Sequence, residues 1–279
     1  SDYLKKMKIV CIAEIDTRHI TTQIRNNGAM KACIIHNKKD INKAKKKLNG
    51  GASMVGSELA SKVSSSKRYA FKENIFQLPK KAQNTDKKFR VIAYDYGVKK
   101  NILRILFSMG CDVEVVPAKT SAKNILSKNP DGIFLSNGPG DPEPCDYAIK
   151  SIRSLFEYNI PIFGICLGHQ LIALASDSKT KKMKYGHHGA NHPVIDLKTG
   201  NVMITSQNHG FVVDEKNLSK DFIITHRSLF DNTIQGIRHK KLPIFSFQGH
   251  PEACPGPQDV NYLFEEFIKL MKKKNAKKK

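Results

Sequence analysis

Apolar runs alternate with helical patterns along the chain from residue 89 onward. A helical pattern fills residues 102–109, between continuous apolar runs that are short enough to be strands. Strands buried on both faces and separated by helices are typical of a parallel sheet. The pattern therefore predicts an α/β fold whose strands include residues 91–94, 113–116, 132–136, 160–163 and 242–249.

The first 88 residues differ from the rest in composition and in their pattern of apolar residues. A helical stretch near residues 16–26 follows Asp16 and Thr17, which are suited to cap a helix N-terminus. Residues 61–88 are rich in serine, lysine and asparagine around an apolar island at residues 71–78, and they read as connecting structure. We therefore predict an N-terminal part with a linker over residues 1–88 and a main domain over residues 89–279.

The strand that ends near Phe163 leads directly into a cysteine flanked by glycines. Gly164, Cys166 and Gly168 precede an apolar segment with helical character, which is the layout of a nucleophile elbow. Small residues on both sides allow the sharp turn. The start of a helix favours a thiolate, which is the nucleophilic form of cysteine. The pattern predicts a reactive Cys166, although a structural cysteine beside glycines is an equally common reading of these residues alone.

A candidate base follows far downstream, at the end of the run over residues 242–249. Side chains alternate along an extended chain, so His250 and Glu252 should project to one side, with Pro251 between them. Glu252 could then orient the imidazole of His250, which could take the proton of Cys166. Read without the cysteine, the same three residues would only cap a strand.

A third segment could stabilise a developing negative charge. The strand predicted at residues 132–136 stops at a turn rich in glycine and proline, which exposes backbone N–H groups. The carboxyl edge of an open α/β sheet is where ligands bind. An N–H from this turn and that of Leu167 would form a two-donor oxyanion hole. Alone, the segment could equally be an ordinary tight turn.

Together these segments resemble the class I, triad-type glutamine amidotransferases, and among them the small subunits of carbamoyl phosphate synthetases. The narrower resemblance is carried by four stretches, at residues 135–142, 184–193, 206–211 and 247–253, and it is collinear from about Ser1 to the C-terminal helical segment. It implies a largely parallel sheet flanked by helices, with a flavodoxin-like core. It also implies a smaller α/β domain at the N-terminus that this chain enters part-way, so the family's glutamine-contacting serine has no counterpart here.

The resemblance also implies roles for individual residues. Cys166 would attack the side-chain amide of glutamine and form a thioester, with His250 as acid and base and Glu252 as its orienting partner. Gly138 and Leu167 would supply the oxyanion-hole amides. The positions that hold glutamine in this family correspond here to Gly140, Gln170, Asn208, Gly210 and Phe211.

By the same resemblance, the ammonia would pass to a large synthetase subunit that makes carbamoyl phosphate from bicarbonate and ATP, for arginine and pyrimidine synthesis. ATP and magnesium are expected on that partner, and no cofactor is expected in this chain, which lacks a Walker-type glycine loop. Two alternatives stay open. The chain could serve another synthase, or it could be an inactive scaffold if the segment absent here is required for activity.

Composition narrows the setting. The net charge is +22, but only eight of the 47 basic residues are arginine, the residue that bidentate base and phosphate recognition favours. We therefore expect no nucleic-acid partner, and the basic surface could help to dock an acidic subunit. Histidines at 169, 187, 188 and 192 fit no standard zinc spacing, so no metal is predicted.

The six cysteines show no paired spacing. No run approaches the ~18–20 apolar residues of a membrane span, so no membrane partner is expected. These features favour a reducing cytoplasm.

Overall fold

A computed structural model describes residues 1–51, 53–75 and 89–276. The helices of this part are α1 (Asp2–Lys6), α2 (Thr17–Asn27), α3 (Ile41–Gly50), α4 (Ala60–Val63), α5 (Lys100–Ser108), α6 (Ala122–Leu126), α7 (Asp146–Leu155), α8 (Leu167–Ala175) and α9 (Tyr262–Ala276). The strands are β1 (Tyr69–Phe71), β2 (Phe89–Asp95), β3 (Cys111–Pro117), β4 (Gly132–Leu135), β5 (Ile162–Ile165), β6 (Thr180–Asp196), β7 (Val202–Val213), β8 (Phe222–Ser228), β9 (Ile234–His239) and β10 (Ile244–Phe247).

The strands form a single sheet in the order β1-β3-β2-β4-β5-β10-β9-β8-β6-β7. Pairing is parallel from β3 through β2, β4 and β5 to β10. Antiparallel pairs extend this core, through β1 at one edge and through β9, β8, β6 and β7 at the other. The predicted α/β class and its parallel strands are confirmed. The antiparallel extension was not foreseen, because its strands alternate polar and apolar residues instead of forming continuous apolar runs.

Helices cover both faces of the parallel core. Side chains from alternate strand positions enter two hydrophobic clusters, one shared with α6, α7 and α8 and the other with α5 and α9. In the second cluster the ring of Phe163 stacks on Phe245 at 4.5 Å and meets Phe134, Phe264 and Phe267 within 6.0 Å. This interlocked aromatic layer holds α9 against the sheet and fixes the strands that end at the candidate site.

Two compact units divide the chain. The first contains Ser1–Ser53 together with Lys184–Gly186, and the second contains the other described residues. In the first unit the predicted helix is α2, and Asp16 caps it by accepting a hydrogen bond from the His19 N–H at 2.8 Å. The prediction of a small α/β domain at the N-terminus needs one correction, because residues 1–51 contain helices but no strand. The apolar run at residues 9–12 is exposed, and no strand among the described residues pairs with it.

The predicted boundary between residues 88 and 89 adjoins residues 76–88, which lie outside the described part, so it stays a prediction. The same holds for the C-terminal half of the apolar island at residues 71–78. Residues 54–75 belong to the second unit. Among the described residues, no helix is both long enough and apolar enough to cross a bilayer.

Replacing Phe163 with alanine should lower the free energy of unfolding by about 3–5 kcal/mol, because it removes the centre of a packed aromatic layer. Denaturant unfolding monitored by circular dichroism measures the change. Phe230, whose side chain is 60% exposed, is the matched control, and its alanine variant should lose less than about 1 kcal/mol. Equal losses in the two variants would contradict the packing described here.

Candidate active site

Cys166 occupies the sharp turn between β5 and α8. Its backbone has φ +53° and ψ −102°, so the residue is held in a strained conformation that non-glycine residues rarely adopt. The neighbouring glycines are required, since a β-carbon on Gly164 would lie 2.7 Å from the carbonyl oxygen of Gly168. One on Gly168 would lie 2.2 Å from the carbonyl oxygen of Leu135. The predicted elbow is therefore present, and Gly168 packs closely against the end of β4.

His250 and Glu252 follow the carboxyl end of β10, which pairs with β5. The Nδ1 atom of His250 lies 2.8 Å from Oε1 of Glu252, and both side chains are almost completely buried. Their approach differs in detail from the prediction, because Pro251 and Glu252 lie in a turn instead of an extended strand. The turn brings the same two side chains together by a different backbone path.

The imidazole of His250 interacts directly with the thiol of Cys166. Burial alone would lower the pKa of His250, but the charge and hydrogen bond of Cys166 outweigh it, together with those of Glu252. They raise the pKa of His250 to about 9. The Cys166 and His250 side chains, which lie 84 positions apart in the sequence, thus meet in a buried site that favours the protonated form of the imidazole.

Glu252 has further partners that the sequence did not indicate. Lys99 Nζ lies 3.3 Å from Glu252 Oε1, and the side-chain amide of Asn101 donates to the Glu252 backbone carbonyl at 2.6 Å. Burial raises the pKa of Glu252, but the hydrogen bond and charge of His250 and the charge of Lys99 outweigh it and hold this pKa below its usual value. Both extra residues come from the start of α5 and its preceding loop, and neither belongs to a motif.

The turn after β4 lies beside the elbow. A β-carbon on Gly138 would meet the carbonyl oxygen of Tyr96 at 2.2 Å and the side chain of Leu167 at 2.7 Å, so only glycine fits. Among the described residues, neither the N–H of Gly138 nor that of Leu167 donates to another protein group. The Leu167 N–H is one of the donors that the first turn of a helix leaves without a partner. These two amides are thus free to bind an external oxygen.

Two of the predicted glutamine-holding residues, Asn208 and Gln170, contact the same cysteine. The backbone carbonyl of Asn208 on β7 is 4.0 Å from Cys166 Sγ, and its side-chain oxygen accepts from His188 on β6 at 2.8 Å. Gln170 on α8 is buried, and its Nε2 donates to the Phe211 carbonyl at 2.9 Å and to Gln248 at 3.1 Å. Gln170 therefore fixes the β7 backbone in place. The sequence analysis missed the contributions of His188 and Gln248, although both lie within the stretches that carry the family resemblance.

Gly210 and Phe211 follow Asn208 on β7. Phe211 is buried, and its ring lies 5.4 Å from the ammonium group of Lys182. A β-carbon on Gly210 would come within 3.0 Å of the same ammonium group. Gly140 lies in the turn after β4 with φ +97°, a conformation that favours glycine.

Comparisons with known proteins agree with this geometry. A family model described as Glutamine amidotransferase class-I matches residues 92–270, and one described as Carbamoyl-phosphate synthase small chain, CPSase domain, matches residues 1–34. The carbamoyl phosphate synthase small chain of Pasteurella multocida is 56% identical over 275 residues, which cover 98% of this chain and 71% of that protein. The chain belongs to the carbamoyl phosphate synthase small chain family.

Another carbamoyl phosphate synthase small chain, from Neisseria meningitidis serogroup B, is 56% identical over 273 residues, which cover 97% of this chain and 72% of that protein. A crystal structure described as that of a GMP synthase subunit from Thermoplasma acidophilum matches with a TM-score of 0.59 and 25% identity, covering 68% of this chain and 98% of that one. The family resemblance and the fold class predicted from the sequence are confirmed. Membership of this small chain family implies a large-subunit partner and glutamine as substrate.

Buried histidines around the site differ sharply in their electrostatics. Burial lowers the pKa of His169 to about 3 and that of His209 to about 3, although a hydrogen bond to the Phe211 carbonyl partly opposes the shift of His209. His169 and His209 are therefore neutral, whereas His250 is cationic because it has charged partners. No group of three or more side chains in the described part could hold a metal ion.

The free energy of unfolding should fall on acidification, in part because buried His169 resists protonation. Its folded-state pKa is about 3 and its ordinary value is 6.5, so the unfolded chain binds the extra proton between these pH values. The contribution of neutral His169 to the free energy of unfolding is complete above pH 6.5 and is lost as the pH falls. At pH 5 the loss amounts to roughly 2 kcal/mol. Urea unfolding between pH 7 and pH 4.5 measures this slope.

Replacing His169 with glutamine should flatten the slope by up to about 1.4 kcal/mol per pH unit in this window. Replacing the exposed His19 with glutamine should leave the slope unchanged. A His169→Gln variant with the original pH dependence would contradict the assignment.

Proposed function

We propose that this chain hydrolyses L-glutamine and supplies the ammonia to a carbamoyl phosphate synthase large subunit. The observation that carries the proposal is the buried cluster of Cys166, His250 and Glu252 beside two unpaired backbone amides. A nucleophile, a base with its orienting group and an oxyanion site are the parts that acyl transfer needs.

In the first half of the reaction, the thiolate of Cys166 attacks the side-chain amide carbon of glutamine. Electrons move onto the amide oxygen, which the N–H groups of Leu167 and Gly138 would stabilise. The C–N bond then breaks, and imidazolium His250 gives its proton to the departing nitrogen. Ammonia leaves, and a γ-glutamyl thioester remains on Cys166.

The second half releases glutamate. Neutral His250 accepts a proton from water as the water oxygen attacks the thioester carbon, and the same two amides hold the oxygen again. The C–S bond breaks, and His250 and Cys166 return to the imidazolium–thiolate pair. Glu252 stabilises the cationic imidazole through both steps, and Lys99 balances the buried carboxylate charge.

Glutamine would be bound by Gly140, Asn208, Gly210 and Phe211. Gln170 would hold the β7 backbone in position through its hydrogen bond to the Phe211 carbonyl. The partner would carry bicarbonate, ATP and magnesium, so this chain would need no cofactor of its own. We further propose a reducing cytoplasmic location, because Cys166 must stay reduced to act as the nucleophile.

The test measures ammonia release from L-glutamine by the full chain, alone and with a carbamoyl phosphate synthase large subunit. Activity that the large subunit stimulates supports the whole proposal. Activity without stimulation would favour service to another synthase, and no activity in either case would favour an inactive scaffold.

Changing Cys166 to serine should abolish glutamine-dependent ammonia release, because an alcohol is not activated by an imidazolium poised for a thiolate. The assay is coupled ammonia detection, and circular dichroism checks the fold. Cys254 is the matched control, since it is an exposed thiol two positions after Glu252. Cys254→Ser should keep full activity, and turnover by Cys166→Ser would refute the assignment.

Two further variants separate the roles of the other members. His250→Asn should lower kcat by about 1,000-fold or more, because it removes the proton carrier. Glu252→Gln should also lower kcat, but by a factor roughly ten to a hundred times smaller than that of His250→Asn, because it weakens only the stabilisation of the cation. Steady-state kinetics measure both changes, and equal losses would argue against these roles.

A further inference from the structure

A short segment before the main sheet runs over its catalytic edge. Residues 56–65, here called the strap, cross the carboxyl ends of β4, β3 and β2 in turn. Ser64 Oγ accepts a hydrogen bond from the N–H of Ala118 after β3, and the N–H of Ser65 donates to Asp95 at the end of β2, both at 2.8 Å. Ala60 is fully buried in the core. The strap is therefore fixed to the sheet at its C-terminal half.

The N-terminal half of the strap contacts the turn after β4. The N–H of Gly56 donates to Asp141 Oδ2 at 2.8 Å, and the N–H of Asp141 donates back to the Ser57 carbonyl at 3.0 Å. Between these bonds, Glu58 and Gly140 form an antiparallel bridge. The turn that carries Gly138 and Gly140 is thus paired with the strap as a strand would be.

The contact is too close for any side chain at Gly140. A β-carbon there would lie 2.7 Å from the Ser57 carbonyl oxygen and 3.1 Å from Leu59. The φ of +97° at Gly140 and the approach of the strap are therefore linked features. Movement of the strap would release the constraint on this glycine.

Glu58 ties the strap to both ends of the turn. While its backbone pairs with Gly140, its carboxylate accepts from the Ser61 N–H at 2.8 Å and from the Tyr147 hydroxyl at 2.9 Å. Tyr147 is the second residue of α7, the helix that follows the turn. Burial raises the pKa of Glu58, but the hydrogen bonds from Ser61 and Tyr147 and the charge of Lys119 outweigh it and lower this pKa. A charged acceptor makes stronger hydrogen bonds than a neutral one.

We propose that Glu58 is a positioning residue for the glutaminase reaction. It would hold the strap against the turn after β4, so that the Gly138 amide faces the oxyanion and Gly140 faces the substrate. This inference rests on the proposed function. The strap lies between the two family matches, at residues 1–34 and 92–270, so neither match covers this support of the active site.

Hydrogen–deuterium exchange of the full chain tests the clamp without reference to activity. In Glu58→Ala, the amide of Asp141 should exchange about tenfold faster, because its acceptor at Ser57 is no longer held. Glu58→Gln should restore most of the protection, since its amide oxygen can still accept from Ser61 and Tyr147. Glu157→Ala, at an exposed glutamate, is the charge-matched control and should leave the exchange of Asp141 unchanged.

Kinetics then link the clamp to catalysis. Glu58→Ala should lower kcat/KM for glutamine about tenfold. Alkylation of Cys166 by iodoacetamide, which needs the thiolate but no oxyanion hole, should keep its wild-type rate. Tyr147→Phe, which removes one donor to Glu58, should change kcat/KM in the same direction by a smaller factor.

Three results would overturn the positioning role. They are unchanged exchange at Asp141 in Glu58→Ala, faster exchange with wild-type kcat/KM, and equal losses of kcat/KM and of the alkylation rate, which would indicate general damage. A wild-type chain that releases no ammonia would count against the proposed function instead. The exchange at Asp141 would then decide by itself whether Glu58 holds the turn.

Discussion

The tight backbone packing of the turn at Cys166 is the constraint on which the rest of the site depends. Strand β5 must end, reverse and start α8 within a few residues, at a positive φ that costs of order 1–3 kcal/mol. The turn persists because Gly168 packs on the end of β4 and donates its N–H to the Ser136 carbonyl at 3.1 Å. The elbow and the end of β4 thus fix each other, and both proposed oxyanion donors flank this contact.

Charge inside the site is set by partners more than by burial. His169, His209 and His250 are all buried, yet burial lowers the pKa of the first two to about 3, while charged neighbours raise that of His250 to about 9. A cation at His250 is stable because Cys166 and the Glu252 carboxylate lie beside it, and that carboxylate in turn contacts Lys99. The two buried charges, on His250 and Glu252, therefore each have an opposite charge beside them, which offsets the cost of taking them out of water.

Local chemistry determined which parts the sequence could predict. The continuous apolar runs gave the parallel strands, and glycines around Cys166 gave the elbow, because each pattern has few structural solutions. His250 and Glu252 were paired correctly, but through extended-strand alternation, whereas the structure uses a turn. Lys99 and the strap could not be found, since their contacts with the site are long-range and carry no local signature. His188 lies in a quoted stretch, but nothing in that stretch indicated its contact with Asn208.

Sequence separation also explains why the site depends on the whole second unit. The strap around residue 58, the turn around residue 140, the elbow at residue 166 and the base at residue 250 each come from a different part of the chain. Their contacts close long loops, so they form only when the sheet is complete. No short fragment of this unit can hold the Cys166 thiol, the His250 imidazole and the two amides together. The turn that carries Gly138 and Gly140 therefore depends on contacts with the strap, which lies about eighty residues earlier in the chain.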